Sequence, residues 1–476
     1  MRVSDPLIEA RAFGWRHGGR KAWALHDISF TVEAGERVLV LGSSGSGKST
    51  LLRALAGVLG DSDDGETAGQ LLIDGRHPTR TIGRQALVQQ DPDAQIVLGR
   101  VGDDVAFGAE NLRVPREQIW PRVDDALVRV GLDVGRDHPT AHLSGGQKQR
   151  LALAGAIAMQ AEVLLLDEPT ANLDPAGVDE VVDAVASLVA DRRTTLLVVE
   201  HRVEAWVGLV DRVMVLSSEG GVLADGPVHQ VLAEQRDALV AAGVWVPGVP
   251  LDVAALEPTD SSEMIMHTEG LVVGRDSAIL GPLDLALPRA STVVTGPNGA
   301  GKSTLALTLS GLLRPISGRV VASSGLRDGL GPDPLKWKSR QLAGRVGYVF
   351  QEPEHMFVAA TVREEIELAV RTRRRDGDDT DALLEKLHLE RVAGANPFTL
   401  SGGEKRRLSV GVVLGAGPQL IMVDEPTFGQ DRTTWHDLVR LFTRLAGDGH
   451  AVLSVTHDHA FVDVMGQHRI AVGGHP

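Results

Sequence analysis

Two glycine-rich runs each end in a lysine and two hydroxyl residues. They are Gly42-Ser43-Ser44-Gly45-Ser46-Gly47-Lys48-Ser49-Thr50 and Gly296-Pro297-Asn298-Gly299-Ala300-Gly301-Lys302-Ser303-Thr304. The spacing G-x-x-x-x-G-K-[ST] suits a phosphate cradle, because glycines let backbone N–H groups wrap an anion and the following helix start adds partial positive charge. Lys48 and Lys302 are expected to reach the β- and γ-phosphates of a nucleotide, and Ser49 and Ser303 to ligate Mg²⁺. A plain glycine turn capping a helix is the competing reading. Two matches, each expected after a buried strand, count against it.

A second chemical feature also occurs twice. Asp167-Glu168-Pro169-Thr170 and Asp424-Glu425-Pro426-Thr427 end the apolar runs Val163–Leu166 and Leu420–Val423. A carboxylate at the end of a buried strand is costly without a cation or donor, so Asp167 and Asp424 are expected to hold a metal through water. Glu168 and Glu425 are expected to polarise the attacking water, work worth about 10²–10⁴ in rate. Pairing of these acids with nearby arginines is the structural alternative.

Leu143-Ser144-Gly145-Gly146-Gln147 and Leu400-Ser401-Gly402-Gly403-Glu404 read two ways at once. S-x-x-Q and S-x-x-E fit a capping box, and a capped helix start bearing two glycines is also an anion site. His201 and His457 follow the apolar runs Leu196–Val199 and Val452–Val455. A lone histidine at a strand end is usually structural, but its repetition after both acid pairs favours a γ-phosphate donor.

These features form an internal repeat. Lys48 and Lys302 stand 254 positions apart, Ser144 and Ser401 stand 257, Asp167 and Asp424 stand 257, and His201 and His457 stand 256. The chain is therefore a duplication. A Pro-interrupted stretch with Pro247, Pro250, Pro258 and Thr259–Ser262 marks the junction. Copy one is placed at 1–246, the linker at 247–263 and copy two at 264–476. Unbroken apolar runs such as Val38–Leu41 suit parallel strands buried on both faces, and Leu51–Ala56 reads as a helix. The glycine loops and acid pairs fall at the carboxyl ends of such strands, where open α/β sheets bind ligands.

The chain has 476 residues, a formal charge of -15 and no cysteine. The acidic balance disfavours nucleic acid, and the lack of cysteine rules out disulfides and thiolate zinc sites. Met1–Pro6 lacks the apolar core of a signal peptide, and no apolar run approaches the roughly 20 residues of a membrane span. Work at a membrane would have to go through other subunits. The cluster Arg371–Arg375 with Asp376, Asp378 and Asp379 reads as a solvated, self-neutralising loop. Trp206, Trp245 and Trp337 read as packing or partner contacts.

The order of motifs resembles the ATP-binding cassette (ABC) superfamily over nearly the whole length. Walker A loops match Gly42–Thr50 and Gly296–Thr304, Q-loop glutamines Gln90 and Gln351, and signature motifs Leu143–Gln147 and Leu400–Glu404. Walker B acids match Asp167/Glu168 and Asp424/Glu425, D-loops Ala171–Asp174 and Phe428–Asp431, and switch histidines His201 and His457. The resemblance implies an ATPase of α/β class with two tandem P-loop NTPase domains. Each would have a mainly parallel sheet core, an N-terminal antiparallel β region and a helical subdomain. It also implies ATP and Mg²⁺ as ligands, the metal being held by Ser49, Gln90 and Asp167 in one copy and Ser303, Gln351 and Asp424 in the other. Nucleotide contacts would come from Gly42, Ser43, Gly45, Gly47, Thr50, Ser144 and Gly146, and from Gly296, Asn298, Gly299, Gly301, Thr304, Ser401 and Gly403. Trp15 would stack on adenine. The family pairs its cassettes head to tail, here Lys48 with Ser401 and Lys302 with Ser144.

Within the superfamily, Gln90–Gln95 with Val101–Leu112, and Phe350–Glu354 with Thr361–Ile366, resemble energy-coupling factor (ECF) importers. That implies a peripheral protein on the cytoplasmic face of the membrane. It would serve an integral-membrane coupling subunit and a substrate-binding membrane subunit, commonly for a vitamin or metal ion. Copy two departs from the pattern: no aromatic near Gly274-Arg275, Gln430 in the D-loop, and His355-Met356 after the Q-loop glutamine. Two competent but unequal sites are expected. ABC-F translation factors carry a long basic linker that is absent here, and tandem sugar-importer ATPases typically have a degenerate second copy.

Overall fold

The computed structural model describes residues 6–19, 21–59, 65–171, 173–257, 263–372 and 379–473. Asn172 of the first D-loop, Arg373–Arg375 with Asp376 and Asp378, and linker residues Pro258–Ser262 lie outside them. The chain divides into two compact units after Pro250, with Asp431–Thr433 grouping with the first. Residues 251–257 of the expected linker thus belong to the second unit. There Leu256 N donates to Val464 O at 2.8 Å and Gln467 Nε2 to Glu257 O at 2.7 Å.

In the first unit a six-stranded sheet runs in the order Gln85–Val88, Val163–Asp167, Thr195–Val199, Arg37–Leu41, Arg212–Leu216, Val222–Pro227. Five strands are parallel and the last is antiparallel. The strand period of two sorts neighbours to opposite faces. Leu39, Leu41, Leu164, Leu166, Leu196 and Val198 enter one core, and Val38, Val40, Val163, Leu165, Leu197 and Val199 the other. Burial on both faces explains the unbroken apolar runs. Helix Lys48–Ala56 and the antiparallel sheet of Leu25–Val32, Ile8–His17 and Gly65–Ile73 cover one face. Helices Val101–Asn111, Arg116–Arg129 and Gly145–Ala158 pack into the opposite core.

The second unit repeats the plan. Its parallel sheet is ordered Val346–Val349, Leu420–Asp424, Ala451–Val455, Ser291–Thr295, His468–Ala471. Leu420, Met422, Leu453 and Val455 share a core with Leu305 and Leu309 of helix Lys302–Leu309, and with Leu271 and Val273 of the antiparallel strand Met264–Gly274. Both units are of α/β class, each with a helical part and antiparallel strands. Trp206 is fully buried and Trp337 nearly so, its Nε1 donating to Gly331 O at 2.8 Å. Among the described residues no helix is long and apolar enough to cross a membrane.

Candidate nucleotide site

Each glycine loop turns from a central strand into a helix. Gly42 and Gly296 sit at φ 150° and 151°, where a Cβ would meet Leu216 O at 2.7 Å and Val472 O at 2.2 Å. Only glycine permits that approach. Lys48 and Lys302 fold back under their own loops. Lys48 Nζ donates to Gly42 O and Ser43 O at 2.8 and 2.9 Å, and Lys302 Nζ to Gly296 O and Pro297 O at 2.8 and 3.0 Å. Burial lowers the Lys48 pKa, and Glu168 and Asp167 oppose that shift.

The two buried strands set the acids beside the loops. Ser49 Oγ donates to Asp167 Oδ1 at 3.0 Å, and Ser303 Oγ to Asp424 Oδ1 at 3.1 Å. Burial, then the like charge of Glu168, pushes Asp167 up to about 6, and burial likewise raises Asp424. Such carboxylates are short of positive charge. Glu168 and Glu425 both adopt left-handed backbone, φ 49° and 48°, strain of about 1–3 kcal/mol that clusters at functional sites. Their amides are fixed to the next strand, Glu168 N to Val199 O at 2.9 Å and Glu425 N to Val455 O at 2.8 Å.

The glutamate side chains meet the histidines. His201 Nε2 lies 3.0 Å from Glu168 Oε1, and His457 Nδ1 lies 2.9 Å from Glu425 Oε1. Gln90 Nε2 donates to Glu168 Oε2 at 2.9 Å. Burial works against the charge of Glu168, but His201 and Lys48 more than offset it, and its pKa falls below the ordinary value. One cluster therefore gathers Lys48, Ser49, Gln90, Asp167, Glu168 and His201. Gln351 is exposed in the second unit.

Other expected residues lie outside these clusters. Ser144 and Ser401 close true capping boxes: Gln147 N donates to Ser144 Oγ at 3.3 Å and Ser144 N to Gln147 Oε1 at 2.9 Å, with Ser401 and Glu404 repeating the exchange. Gly403 has Thr434 Cγ2 where a Cβ would stand, at 2.7 Å, so the second signature helix is closely packed. Trp15 is 5% exposed and belongs to the core, its ring against Gly65.

Several site residues escape motif reading. Tyr348 donates its phenol to Asp424 Oδ2 at 3.1 Å. Thr456 Oγ1 donates to Glu425 Oε2 at 3.1 Å. Arg406 is buried behind the second acid pair and donates to Phe350 O at 2.8 Å; burial lowers its pKa to about 10 against the pull of Asp424 and Glu425. At the matching place copy one has Gln149. The signal available in sequence was the difference between the copies at aligned positions, whereas motif searching looks for identity.

The model of the ABC transporter family matches residues 25–171 and 280–428, which take in both phosphate loops, both capping boxes and both acid pairs. The chain belongs to the ABC transporter family. It is similar to YkoD of Bacillus subtilis (strain 168), whose name describes an HMP/thiamine import ATP-binding protein, at 33% identity over 97% of this chain and 89% of that one. An ABC transporter ATP-binding protein of Methanosarcina acetivorans is 32% identical over 96% of this chain and 82% of its own. A solved structure titled RNase-L Inhibitor superposes with TM-score 0.63 at 20% identity, covering 99% of this chain and 88% of the other, a likeness of fold alone. The chain is thus a tandem-cassette ATPase of that family.

Proposed function

We propose that the chain is the motor of an ECF-type importer, energising uptake of a small molecule such as a vitamin through separate membrane subunits from the cytoplasmic face of the membrane. In this reading Lys48 and Lys302 bind the β- and γ-phosphates. Glu168 and Glu425 polarise the attacking water, and His201 and His457 hold the γ-phosphate. The oxygen donors Ser49, Asp167 and Gln90, and Ser303, Asp424 and Gln351, suit Mg²⁺, which characteristically takes one or two carboxylates and completes its shell with phosphate and water. Bound metal would neutralise phosphate charge and relieve the buried aspartates. The observation that carries the ATPase assignment is the intact acid–histidine pair in both units.

A membrane partner is supported by a feature common to both cassettes. Asp104 accepts from Val97 N and Leu98 N at 2.8 Å, and Glu365 accepts from Val358 N and from Ala359 N at 2.6 Å. Each acid thereby fixes a loop that exposes a valine, Val97 at 60% and Val358 at 76%, while the following helices expose Phe107 at 38% and Leu368 at 47%. The name of the Bacillus relative adds a thiamine-type cargo as the first to try.

Glu168→Gln and Glu425→Gln are each expected to slow ATP turnover about 10²–10⁴-fold at their own site. Nucleotide affinity should stay near parental. A double variant hydrolysing at the parental rate would remove the base assignment. Head-to-tail use of the cassettes is part of the same proposal, resting on the family resemblance. A double-mutant cycle on ATP affinity should couple Lys48→Ala to Ser401→Ala by about 0.5–3 kcal/mol and leave Lys48→Ala with Ser144→Ala additive.

A further inference from the structure

Aligning the two histidine segments exposes an exchange of residues. Glu200-His201-Arg202 in the first cassette stands where the second has Thr456-His457-Asp458. In the first cassette the buried Glu200 accepts from Thr170 N at 3.1 Å, from Thr170 Oγ1, and from His201 N at 3.3 Å. Thr170 is two residues beyond Glu168. One carboxylate therefore ties the segment carrying the glutamate to the segment carrying the histidine. In the second cassette the corresponding threonine, Thr427, donates its hydroxyl at 2.8 Å to Asp458, which lies on the other side of the histidine and also accepts from Trp435 Nε1 at 2.7 Å.

We propose that Glu200 is a positioning residue for the Glu168–His201 pair, and that Asp458 performs the same task for Glu425–His457 from the opposite side of the histidine. This rests on the hydrolytic reading above and adds residues to it. The two latches leave different neighbours beside the glutamates. Position 456, relieved of latching, puts a threonine hydroxyl on Glu425 Oε2 at 3.1 Å. Position 200 instead puts a third carboxylate near Glu168, and burial together with that like charge raises Glu200 to about 7 against the hydrogen bonds from Thr170. Keeping a buried acid so close to another is costly unless its contacts are needed. The exchange also gives a physical basis for unequal sites.

The test transplants the second wiring into the first cassette of the full chain. Glu200→Thr removes the latch, and Glu200→Thr with Arg202→Asp moves it across the histidine. Turnover is measured in a Glu425→Gln background, so that the remaining hydrolysis belongs to the first site. Glu200→Thr should lower kcat about 10-fold or more, as small misplacements of reacting groups do, with ATP affinity within about two-fold. Adding Arg202→Asp should restore kcat to within about three-fold of the background. A second readout needs no turnover: the isotope-labelled imidazole nitrogen resonance of His201, assigned with His201→Gln, should shift in Glu200→Thr and return in the double variant. Glu200→Gln keeps the volume and one acceptor oxygen, guards against misfolding, and should give a partial shift. An unchanged kcat and resonance in Glu200→Thr overturns the proposal, as does a loss that Arg202→Asp recovers in neither readout. If Glu168→Gln in the same background turned over at the unmodified rate, the hydrolytic assignment would fail instead, and the resonance would still decide the latch.

Discussion

Asp424 divides its carboxylate between two hydroxyl donors, Ser303 at 3.1 Å and Tyr348 at 3.1 Å, whereas Asp167 receives Ser49 at 3.0 Å. Tyr348 is the only tyrosine in the chain, and Leu87 occupies its place in the first cassette. Its phenol is buried and, by desolvation and the charge of Asp424, held protonated far above neutral pH, so it acts as a donor throughout the physiological range. Tyr348→Phe keeps the ring packed against Phe350 at 4.8 Å and removes only that donor. The variant should lose about 1–3 kcal/mol of second-cassette stability in urea denaturation, the usual cost of leaving a buried acceptor short of a partner. A loss indistinguishable from zero would mean that water or Ser303 already satisfies the carboxylate. The lysines, acid pairs and histidines were legible in sequence because both copies repeat them. Tyr348, Glu200 and Asp458 were hidden because the copies differ there, and because their bonds span 76, 30 and 31 positions.

Strands and helices were legible for a different reason. The runs at Val38, Val163 and Leu420 are apolar without interruption because the parallel sheets are covered on both faces, and each is extended by one residue, to Arg37–Leu41, Val163–Asp167 and Leu420–Asp424. What ties strand ends together was not legible. Asp211, just before strand Arg212–Leu216, accepts from Arg37 Nη2 at 2.7 Å and Nε at 3.0 Å and from Arg192 Nη2 at 3.0 Å and Nη1 at 3.1 Å. It joins the strand at Arg37, 174 positions away, to the segments at Arg192 and Asp211. The hydrogen bonds from Arg37 outweigh its partial burial and, with Arg192, hold its carboxyl well below the usual range. A carboxyl depressed on folding contributes stability that is complete above its unfolded pKa and fades as pH falls toward its folded value. Asp211→Asn should therefore cost the first cassette about 1.5–3 kcal/mol at pH 7. The gap to the parent should narrow once the pH drops below about 4. Denaturant titrations at several pH values check both statements. A gap that widened in acid would mean that Asp211 is not the ionised partner of these arginines.

At the scale of the whole chain, duplication places two equivalent exposed apolar pairs on two ATPase domains, Val97 with Phe107 and Val358 with Leu368. Large apolar side chains are exposed elsewhere too, Val58, Ile82 and Val128 among them, and these four are singled out by lying beside the acid-fixed loop of each cassette. Among the described residues no helix is long and apolar enough to cross a membrane, and on the proposed function these apolar pairs are the surfaces that dock the membrane subunits. Burying a large apolar side chain completely is worth about 1.5–3 kcal/mol, and each 1.4 kcal/mol is tenfold in affinity. Phe107→Asp and Leu368→Asp should each weaken capture of the membrane subunits by about tenfold or more, since an aspartate also brings a charge that must be desolvated. The two positions lie on separate cassettes, so their effects on capture should add. The measurement is titration of the tagged chain against membranes that contain the native subunits, with melting temperature confirming that both variants fold. Capture that survived both substitutions would move the docking surface elsewhere. Recovery of ribosomes in place of membrane subunits would replace the importer reading with that of a soluble tandem ATPase.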